Sequence, residues 1–191
     1  MLSFFLAAHC LFTPPSNWEI ADPKTPSKHS IVGFIDKSKS GFCPSINLTY
    51  EKVTIPTEEY LAIVAKNAKA KKQQWKHLGT IETQSGPAQL IEIETKNNLG
   101  SIRLLQALLR QGDDLFILTA GTLKKEFGKH SVSIEQAMRS MNLCDDLLAL
   151  VTDEDLRATL RSSDKAVLQK KVIQHKELGR VWQILMLRNY E

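Results

Sequence analysis

The sequence is poor in cysteine, and its cysteines form no metal or disulfide motif. Cys10, Cys43 and Cys144 are the only three in 191 residues, and none belongs to a Cys-x-x-Cys pair. This spacing predicts neither a zinc site nor the disulfide framework of a small secreted domain. We expect buried free thiols, since free cysteine behaves as a small hydrophobic residue. The alternative is a single bridge between Cys43 and Cys144.

Motifs of the common enzyme classes are also absent. The sequence has no Gly-x-Ser-x-Gly elbow, no Walker loop and no dinucleotide-binding glycine fingerprint, and its five histidines lie in separate polar segments without ligand spacing. Two weaker arrangements remain: Cys43 as a nucleophile beside a histidine, and Glu92 with Glu94 as a carboxylate pair on one strand face. We therefore expect a protein that is not an enzyme and needs no cofactor and no metal.

The chain has no apolar run long enough to span a membrane. The run MLSFFLAAHCLF at residues 1–12 is shorter than the ~20 residues of a transmembrane helix, and no Lys or Arg precedes it. It has three interpretations: a clipped or misassigned export signal, a degenerate lipoprotein signal at Cys10, or a first strand or helix that packs on the domain. The first two together favour an exported or periplasmic protein slightly over a cytoplasmic one.

The chain carries little net charge. The formal net charge is +4, and residues 144–191 hold eight acidic and eight basic side chains, so the positive excess lies before Cys144. Part of it comes from five lysines on one predicted helix: Lys66, Lys69, Lys71, Lys72 and Lys76. They could face phosphates, but aromatic stacking partners for single-stranded nucleic acid are missing apart from Trp75. We expect a solvated helix face and no specific nucleic-acid partner.

What the sequence does contain is an ordered series of segments. It opens with a proline-rich tract, 13–28, that should be extended and turn-rich. Trp18 lies within this tract, and a tryptophan on such rigid backbone is typical of an anchor that buries its ring against a core. Two short strands are predicted at 31–34 and 46–50, and they should pair antiparallel.

An amphipathic helix is predicted from Thr57 to about Lys76. Thr57 supplies a hydroxyl for the N-cap, and Glu58 and Glu59 follow in the first turn, where the helix dipole favours carboxylates. Apolar residues then recur at three-to-four spacing and should face the core: Tyr60, Leu61, Val64, Ala65 and Ala68.

After Gly79 the pattern changes to a meander of hairpins. Four strands with short polar turns are predicted: 80–83, 88–95, 101–109 and 115–120. The third is apolar on both faces, as expected for a central strand covered on two sides. A short exposed helix or loop at 123–130 should precede a closing helix at 134–141, which Ser133 caps.

The order of these segments resembles the PsbP/Mog fold. The resemblance rests on Pro15-Ser16-Asn17-Trp18, on 41–48, on 57–61, and on the hairpins with the closing helix, and it covers 14–143, roughly two thirds of the chain. This superfamily includes the photosystem II extrinsic protein PsbP, a Ran-binding nuclear import factor, and bacterial exported proteins and secretion adaptors. The resemblance implies an α+β fold, an α-β-α sandwich with a central antiparallel sheet. It also implies binding to other proteins and no shared catalytic residues.

The C-terminal part departs from that pattern. Residues 144–191 are predicted to form a helical hairpin whose second helix runs from Lys165 to about Asn189. An apolar stripe follows that helix, and its last two turns, 181–187, are strongly hydrophobic. The stripe either docks on the domain, or offers a groove-binding face to a partner, or lies on a membrane surface.

The sequence thus predicts three parts: an apolar N-terminal segment, 1–13, a PsbP/Mog-like domain, 14–143, and a C-terminal helical extension, 144–191. The predicted function is a non-catalytic scaffold or adaptor of the cell envelope or a secretion pathway, which binds through apolar surface on the sheet and on the C-terminal helix. Its partner would be another protein, such as an apolar helix of a secreted or envelope protein. The predicted contacts are aromatic and aliphatic anchors, which dominate such interfaces: Trp18, Tyr60, Trp75, Val181, Trp182, Leu185 and Met186.

Two other functions remain open at this stage. One is an envelope protein that carries a ligand or metal and stabilises a larger assembly, which would need a polar or metal-lined pocket. The other is a hydrolase with a cysteine nucleophile.

Overall fold

The computed structural model describes residues 9–21, 30–37 and 41–144, together with Glu154, Arg157 and Ala158. These residues form nine strands and two α-helices in this order: β1 (His9–Leu11), β2 (Glu19–Ile20), β3 (Ser30–Ile35), β4 (Ser45–Lys52), α1 (Thr57–Ala70), β5 (Gln74–Thr83), β6 (Gly86–Asn97), β7 (Gly100–Gln111), β8 (Asp114–Leu123), α2 (Phe127–Arg139) and β9 (Asn142–Cys144). A 3₁₀ turn, Lys124–Glu126, leads into α2.

Seven of these strands make one antiparallel sheet in the order β2-β3-β4-β8-β7-β6-β5, and β1 pairs separately with β9. The predicted pair of early strands is found as β3 with β4, and the predicted meander is found as β5 to β8. The central position predicted for the 101–109 strand is confirmed, because β7 lies between β6 and β8. Gly86, Gly100 and Gly112 have φ of 101°, 132° and 59° at the hairpin turns, a conformation that favours glycine.

The two helices lie on opposite faces of the sheet, and each buries its own cluster of apolar side chains. One face, here called the α2 face, is covered by α2 through residues that include Ile134 and Met138. The other, the α1 face, is covered by α1 through Leu61. Alternation along β7 sends Leu109 into the first cluster and Leu108 into the second. The predicted α+β class and α-β-α sandwich are confirmed.

The N-terminal strand packs into the α2 face. Cys10, Leu11 and Phe12 are buried, and the Phe12 ring meets that of Phe34 edge-on, with 5.7 Å between centroids. Burial of a side chain such as Leu or Phe contributes about 1.5–3 kcal/mol. For residues 9–12 this agrees with the third interpretation of the apolar run, a segment that packs on the domain. Residues 1–8 lie outside the described ranges.

The segment that leads into α1 is held by one arginine of β7. The Arg110 guanidinium donates hydrogen bonds to the carbonyls of Val53 (2.7 Å), Ile55 (2.6 Å) and Gly112 (2.7 Å). Hydrogen bonds from a charged donor are roughly twice as strong as neutral ones. Arg110 therefore fixes where α1 begins relative to the sheet.

The N-cap role predicted for Thr57 is wrong. Pro56 occupies the N-cap position, without a side-chain hydrogen bond to the helix. Thr57 is the first helical residue, and its Oγ1 instead accepts a contact of 3.4 Å from Arg110 Nη1. Arg110 thus positions Thr57 from a distant part of the chain, but as a donor it cannot cap the N–H groups of the helix.

The prediction that α1 reaches Lys76 is also wrong, because the helix ends at Ala70. Lys72 has a φ of 56°, the left-handed conformation that commonly ends helices. Beyond it, Trp75 packs against the α1-face cluster from strand β5, which pairs with β6. Strand pairing and burial of the indole outweigh the local helical pattern. Lys76 therefore lies on β5, so the five lysines do not share one helix.

The closing helix begins earlier than predicted. It starts at Phe127, which packs on the α2-face cluster, so Ser133 lies inside the helix and does not cap it. The Ser133 hydroxyl donates to the carbonyl of His130 at 2.9 Å. The apolar stripe predicted for this helix is confirmed as buried: Ile134, Ala137, Met138 and Met141.

Most of the C-terminal extension lies outside the described residues. After Cys144 the structure describes Glu154, Arg157 and Ala158, and all three are helical. The second helix of the predicted hairpin and its hydrophobic last turns, 181–187, fall on residues that are not described, so both stay predictions. Within the described part of the chain, no helix combines the length and apolarity needed to cross a membrane.

Candidate functional site

α1 leaves part of its sheet face uncovered, and a groove runs beside it. The groove has a volume of about 280 Å³, and its floor consists of side chains from β4, β8, β7 and β6. One side of α1 forms the wall, with residues at three-to-four spacing: Tyr60, Val64, Asn67, Ala68 and Lys71. The wall therefore follows the helix along most of its length.

The floor of the groove combines polar and apolar side chains. Thr49, Ile117 and Leu108 lie side by side across β4, β8 and β7, and Thr119 and Gln106 form the next row on β8 and β7. Gln106 Nε2 donates to Thr119 Oγ1 at 2.9 Å, and Thr49 Oγ1 donates to the Ile117 carbonyl at 3.3 Å. This floor differs from the purely apolar sheet surface expected from the sequence. It suits a ligand that forms hydrogen bonds as well as apolar contacts.

One end of the groove is acidic. Glu51, near the end of β4, accepts a hydrogen bond of 2.8 Å from the Tyr60 hydroxyl. Burial, and secondly this bond to the carboxylate, raises the pKa of Tyr60 well above its ordinary value. The phenol therefore stays protonated at neutral pH. It acts as a donor that holds Glu51 in place and not as a general base.

The opposite end of the groove is basic. Lys71 and Gln73 line it where α1 has ended. Lys69 lies in the last turn of the helix, whereas Glu58 and Glu59 lie in the first. This order of charges is the one that the helix dipole favours. The groove beside the helix has the same polarity.

A second cluster of charges lies on the α2 face. Arg103 Nη2 donates to Glu94 Oε1 at 3.0 Å, and Arg103 Nε lies 3.2 Å from Glu92 Oε2 without the alignment of a hydrogen bond. Lys124 Nζ donates to Glu94 Oε2 at 2.7 Å. The Phe127 ring lies against Arg103, with 4.7 Å from Cζ to the ring centroid. Because opposite charges face each other, the cluster ties the beginning of α2 to the sheet.

The carboxylate pair predicted at Glu92 and Glu94 therefore forms, but without the chemistry of an acid catalyst. Hydrogen bonds from Lys124 and then Arg103 hold the pKa of Glu94 below its ordinary value. A general acid needs a pKa raised toward neutrality. This pair gives the hydrolase hypothesis no support.

The aromatic contacts predicted from the sequence lie on different faces of the sheet. Tyr60 lines the groove, and Trp75 packs in the α1-face cluster beside His77, with 6.4 Å between ring centroids. Trp18 packs on the α2-face cluster and meets His130 at 6.0 Å between centroids. These three side chains do not form one surface. The other predicted contacts lie outside the described residues: Val181, Trp182, Leu185 and Met186.

The polar side chains of the groove were not among the residues predicted from the sequence: Thr49, Asn67, Gln106 and Thr119. Two of them carry a signal that could have found them. Gln106 interrupts an apolar run on β7, and Thr119 does the same on β8. A polar side chain in a central strand is costly unless it has a partner. Asn67 carries no such signal, because the exposed side of any helix is polar.

The cysteines do not share one environment. Cys10 is buried, as expected, and burial raises its pKa above the ordinary range, which disfavours the thiolate that a nucleophile requires. Cys43 is an exposed free thiol, so the burial expected for it is wrong. The alternative, a bridge from Cys43 to Cys144, is not formed either. Over the described ranges, no three His, Cys, Asp or Glu side chains are grouped so as to hold a metal ion.

The sequence has no match among protein-family models and no significant match among curated proteins. The structure is similar to LpqN of Mycobacterium tuberculosis, which is involved in cell envelope biogenesis (13% identity, 72% of this chain and 84% of LpqN, TM-score 0.51). It is also similar to PA94 of Pseudomonas aeruginosa, a protein of unknown function (18% identity, 69% and 94% of the two chains, TM-score 0.50). PsbP of the cyanobacterium Synechocystis matches with 10% identity over 74% and 95% of the two chains, at a TM-score of 0.49.

At these identities a shared structure shows a shared fold, and it carries no substrate or partner from one protein to another. The chain shares its fold with LpqN and PA94, and this fold agrees with the α-β-α sandwich that its sequence predicts.

Proposed function

We propose that this protein is a non-catalytic scaffold that binds an extended segment of a partner protein in the groove beside α1. The observation that carries the proposal is the floor of the groove, where hydrogen-bonding and apolar side chains alternate beside a helix. Successive side chains of an extended segment point to opposite sides. The side chains on the side that faces the floor can therefore be apolar and polar in the order that matches it.

The dimensions of the groove suit a short segment. Tyr60 and Lys71 mark its two ends on the helix, and a rise of 1.5 Å per residue places their Cα atoms about 16 Å apart. An extended chain covers that length in about five residues. Binding would bury the segment between the helix and the floor.

The ionisable side chains of the groove favour binding over catalysis. They are Glu51, Tyr60 and Lys71, and the first two are tied to each other by a hydrogen bond. No histidine, cysteine or serine lines the groove among the described residues. Thr49 and Thr119 do line it, but their hydroxyls bond to the Ile117 carbonyl and the Gln106 amide and not to a base, as an activated nucleophile would.

The proposal also covers the location and the C-terminal extension. We place the protein in the cell envelope or a secretion pathway because LpqN, which has this fold, is involved in cell envelope biogenesis. The apolar stripe of the extension is proposed as a second contact with the partner, through four side chains: Val181, Trp182, Leu185 and Met186.

Site-specific photo-crosslinking in cells tests the proposal. A photoreactive phenylalanine analogue replaces Asn67, on the wall of the groove, or Val132, on α2, which is 67% exposed. The proposal predicts one dominant polypeptide adduct from position 67 and none of that mass from position 132. Equal adducts from both positions, or none from position 67, would contradict it.

A second candidate is a carrier of a small polar molecule, and the composition of the groove favours it. A volume of about 280 Å³ lies close to the lower limit of small-molecule sites, roughly 300 Å³, and much of the lining is polar. Native mass spectrometry of the purified protein distinguishes the two candidates. A bound species of a few hundred daltons, lost when Asn67 is changed to Trp, would favour the carrier.

A further inference from the structure

We infer that the groove selects its segment by charge, with a basic side chain bound at the Glu51 end and an acidic side chain bound at the Lys71 end. The inference rests on the proposed function and specifies the chemistry of the segment that the groove accepts.

Glu51 is positioned to receive a cation. One of its oxygens accepts the bond from Tyr60, a neutral donor, and an ionised carboxylate has about four lone-pair sites, so further donors can be accommodated. The nearby cation Arg110 uses its guanidinium on the carbonyls of Val53, Ile55 and Gly112. Because Tyr60 fixes the carboxylate, a Lys or Arg side chain of the segment would meet an acceptor that is already oriented.

Lys71 is positioned to receive an anion. It is exposed where α1 ends, and it lines the groove, whereas Lys69 and Lys72 do not. Gln73 and Asn67 line the same part of the groove and can donate hydrogen bonds from their amides. A carboxylate of the segment would thus meet a cation together with neutral donors.

The distance between the two ends fixes the spacing of the charges in the segment. In an extended chain, residues i and i+4 point to the same side and lie about 13 Å apart. The ends of the groove are about 16 Å apart along the helix, and the length of Lys, Arg or Glu side chains covers the difference. The expected pattern is therefore one basic and one acidic residue, four positions apart.

Peptide selection on the full chain tests this pattern. A library of random peptides is selected on the wild-type protein and on the double variant Glu51→Lys/Lys71→Glu. We expect the wild type to enrich a basic and an acidic residue four positions apart in one order, and the double variant to enrich the reverse order.

Affinities of the selected peptides give the matched controls. Glu51→Gln or Lys71→Gln should weaken a wild-type peptide roughly three- to tenfold at low ionic strength, and added salt should reduce the effect. Glu58→Gln and Lys69→Gln neutralise exposed charges on the same helix outside the groove lining. They should change the affinity less than about twofold.

The outcomes separate this inference from the proposed function. Asn67→Trp blocks the groove, whereas Lys66→Trp places the same bulk on the adjacent exposed position of α1. If peptides lose binding with Asn67→Trp alone but show no charge pattern, the charge inference is wrong and the proposed function stands. If no peptide binds, or if binding survives Asn67→Trp, the proposed function fails and the inference fails with it.

Discussion

The Tyr60 hydroxyl donates a hydrogen bond of 2.8 Å to Glu51 Oε2 and so joins the beginning of α1 to the end of β4. The bond links the wall of the groove to its floor. Since the helix covers only part of the sheet face, contacts of this kind hold the groove at a fixed width.

Tyr60→Phe should lower the free energy of unfolding by about 1 kcal/mol at neutral pH, because it removes this bond and keeps the ring. The pKa of Tyr60 is raised by folding, above a reference value of 10.0, so its contribution is complete below pH 10 and is lost as pH rises further. The variant should therefore lose less stability than the wild type between pH 9 and pH 11. Urea unfolding at several pH values measures both effects, and equal alkaline losses in the two proteins would refute the assignment.

Arg110→Ala should lower the free energy of unfolding by about 2–3 kcal/mol, because the carbonyls of Val53, Ile55 and Gly112 lose a charged donor. Arg139→Ala is the matched control, since Arg139 forms an exposed pair with Glu135 one helical turn away. Its cost should be about 0.5 kcal/mol or less. Similar losses in the two variants would mean that Arg110 does not hold the segment before α1.

Two substitutions at the end of α1 should change the free energy of unfolding in opposite directions. Lys72→Gly should raise the free energy of unfolding by up to about 1 kcal/mol, because a glycine adopts the φ of 56° found there without strain. Lys69→Gly, within the last turn of the helix, should lower it by about 1 kcal/mol. Thermal unfolding measures both, and destabilisation by Lys72→Gly would show that the left-handed conformation is not maintained in solution.

Glu94 makes the fold sensitive to acid. Hydrogen bonds from Lys124 and Arg103 hold its pKa in the folded state below the reference value of 4.5. The stability that this provides is complete above the unfolded value and is lost as pH falls through the lower folded value. Glu94→Gln should therefore be less stable than the wild type at neutral pH and should lose less stability on acidification below about pH 5.

Unfolding curves at neutral and acid pH test the role of Glu94. Glu135→Gln, a change at an exposed ion pair on α2, should retain the acid sensitivity of the wild type. If Glu94→Gln retains it too, the acid response arises elsewhere in the chain.

The hairpins could be predicted because their signals are local. Short apolar segments predicted β6, β7 and β8, and glycines such as Gly86 and Gly112 marked the turns between them. The ends of the helices could not be predicted in the same way. The Thr57 hydroxyl contacts Arg110 of β7 and does not cap the helix, and strand pairing removes Trp75 from the helix.

The groove was not predictable from the sequence, because it depends on what α1 leaves uncovered. Thr49, Asn67, Gln106 and Thr119 come from four separate elements and meet only in the folded chain. Of the aromatic contacts predicted from the sequence, Tyr60 lies in the groove, but Trp18 lies on the opposite face of the sheet.

The central claim is that a polypeptide segment binds in the groove beside α1. Backbone amide chemical-shift mapping of the full chain, titrated with a peptide selected on it, tests this claim most directly. The account predicts that the largest shifts occur at Thr49, Asn67, Gln106 and Thr119. Shifts concentrated on the α2 face, around Trp18 and Val132, would contradict it.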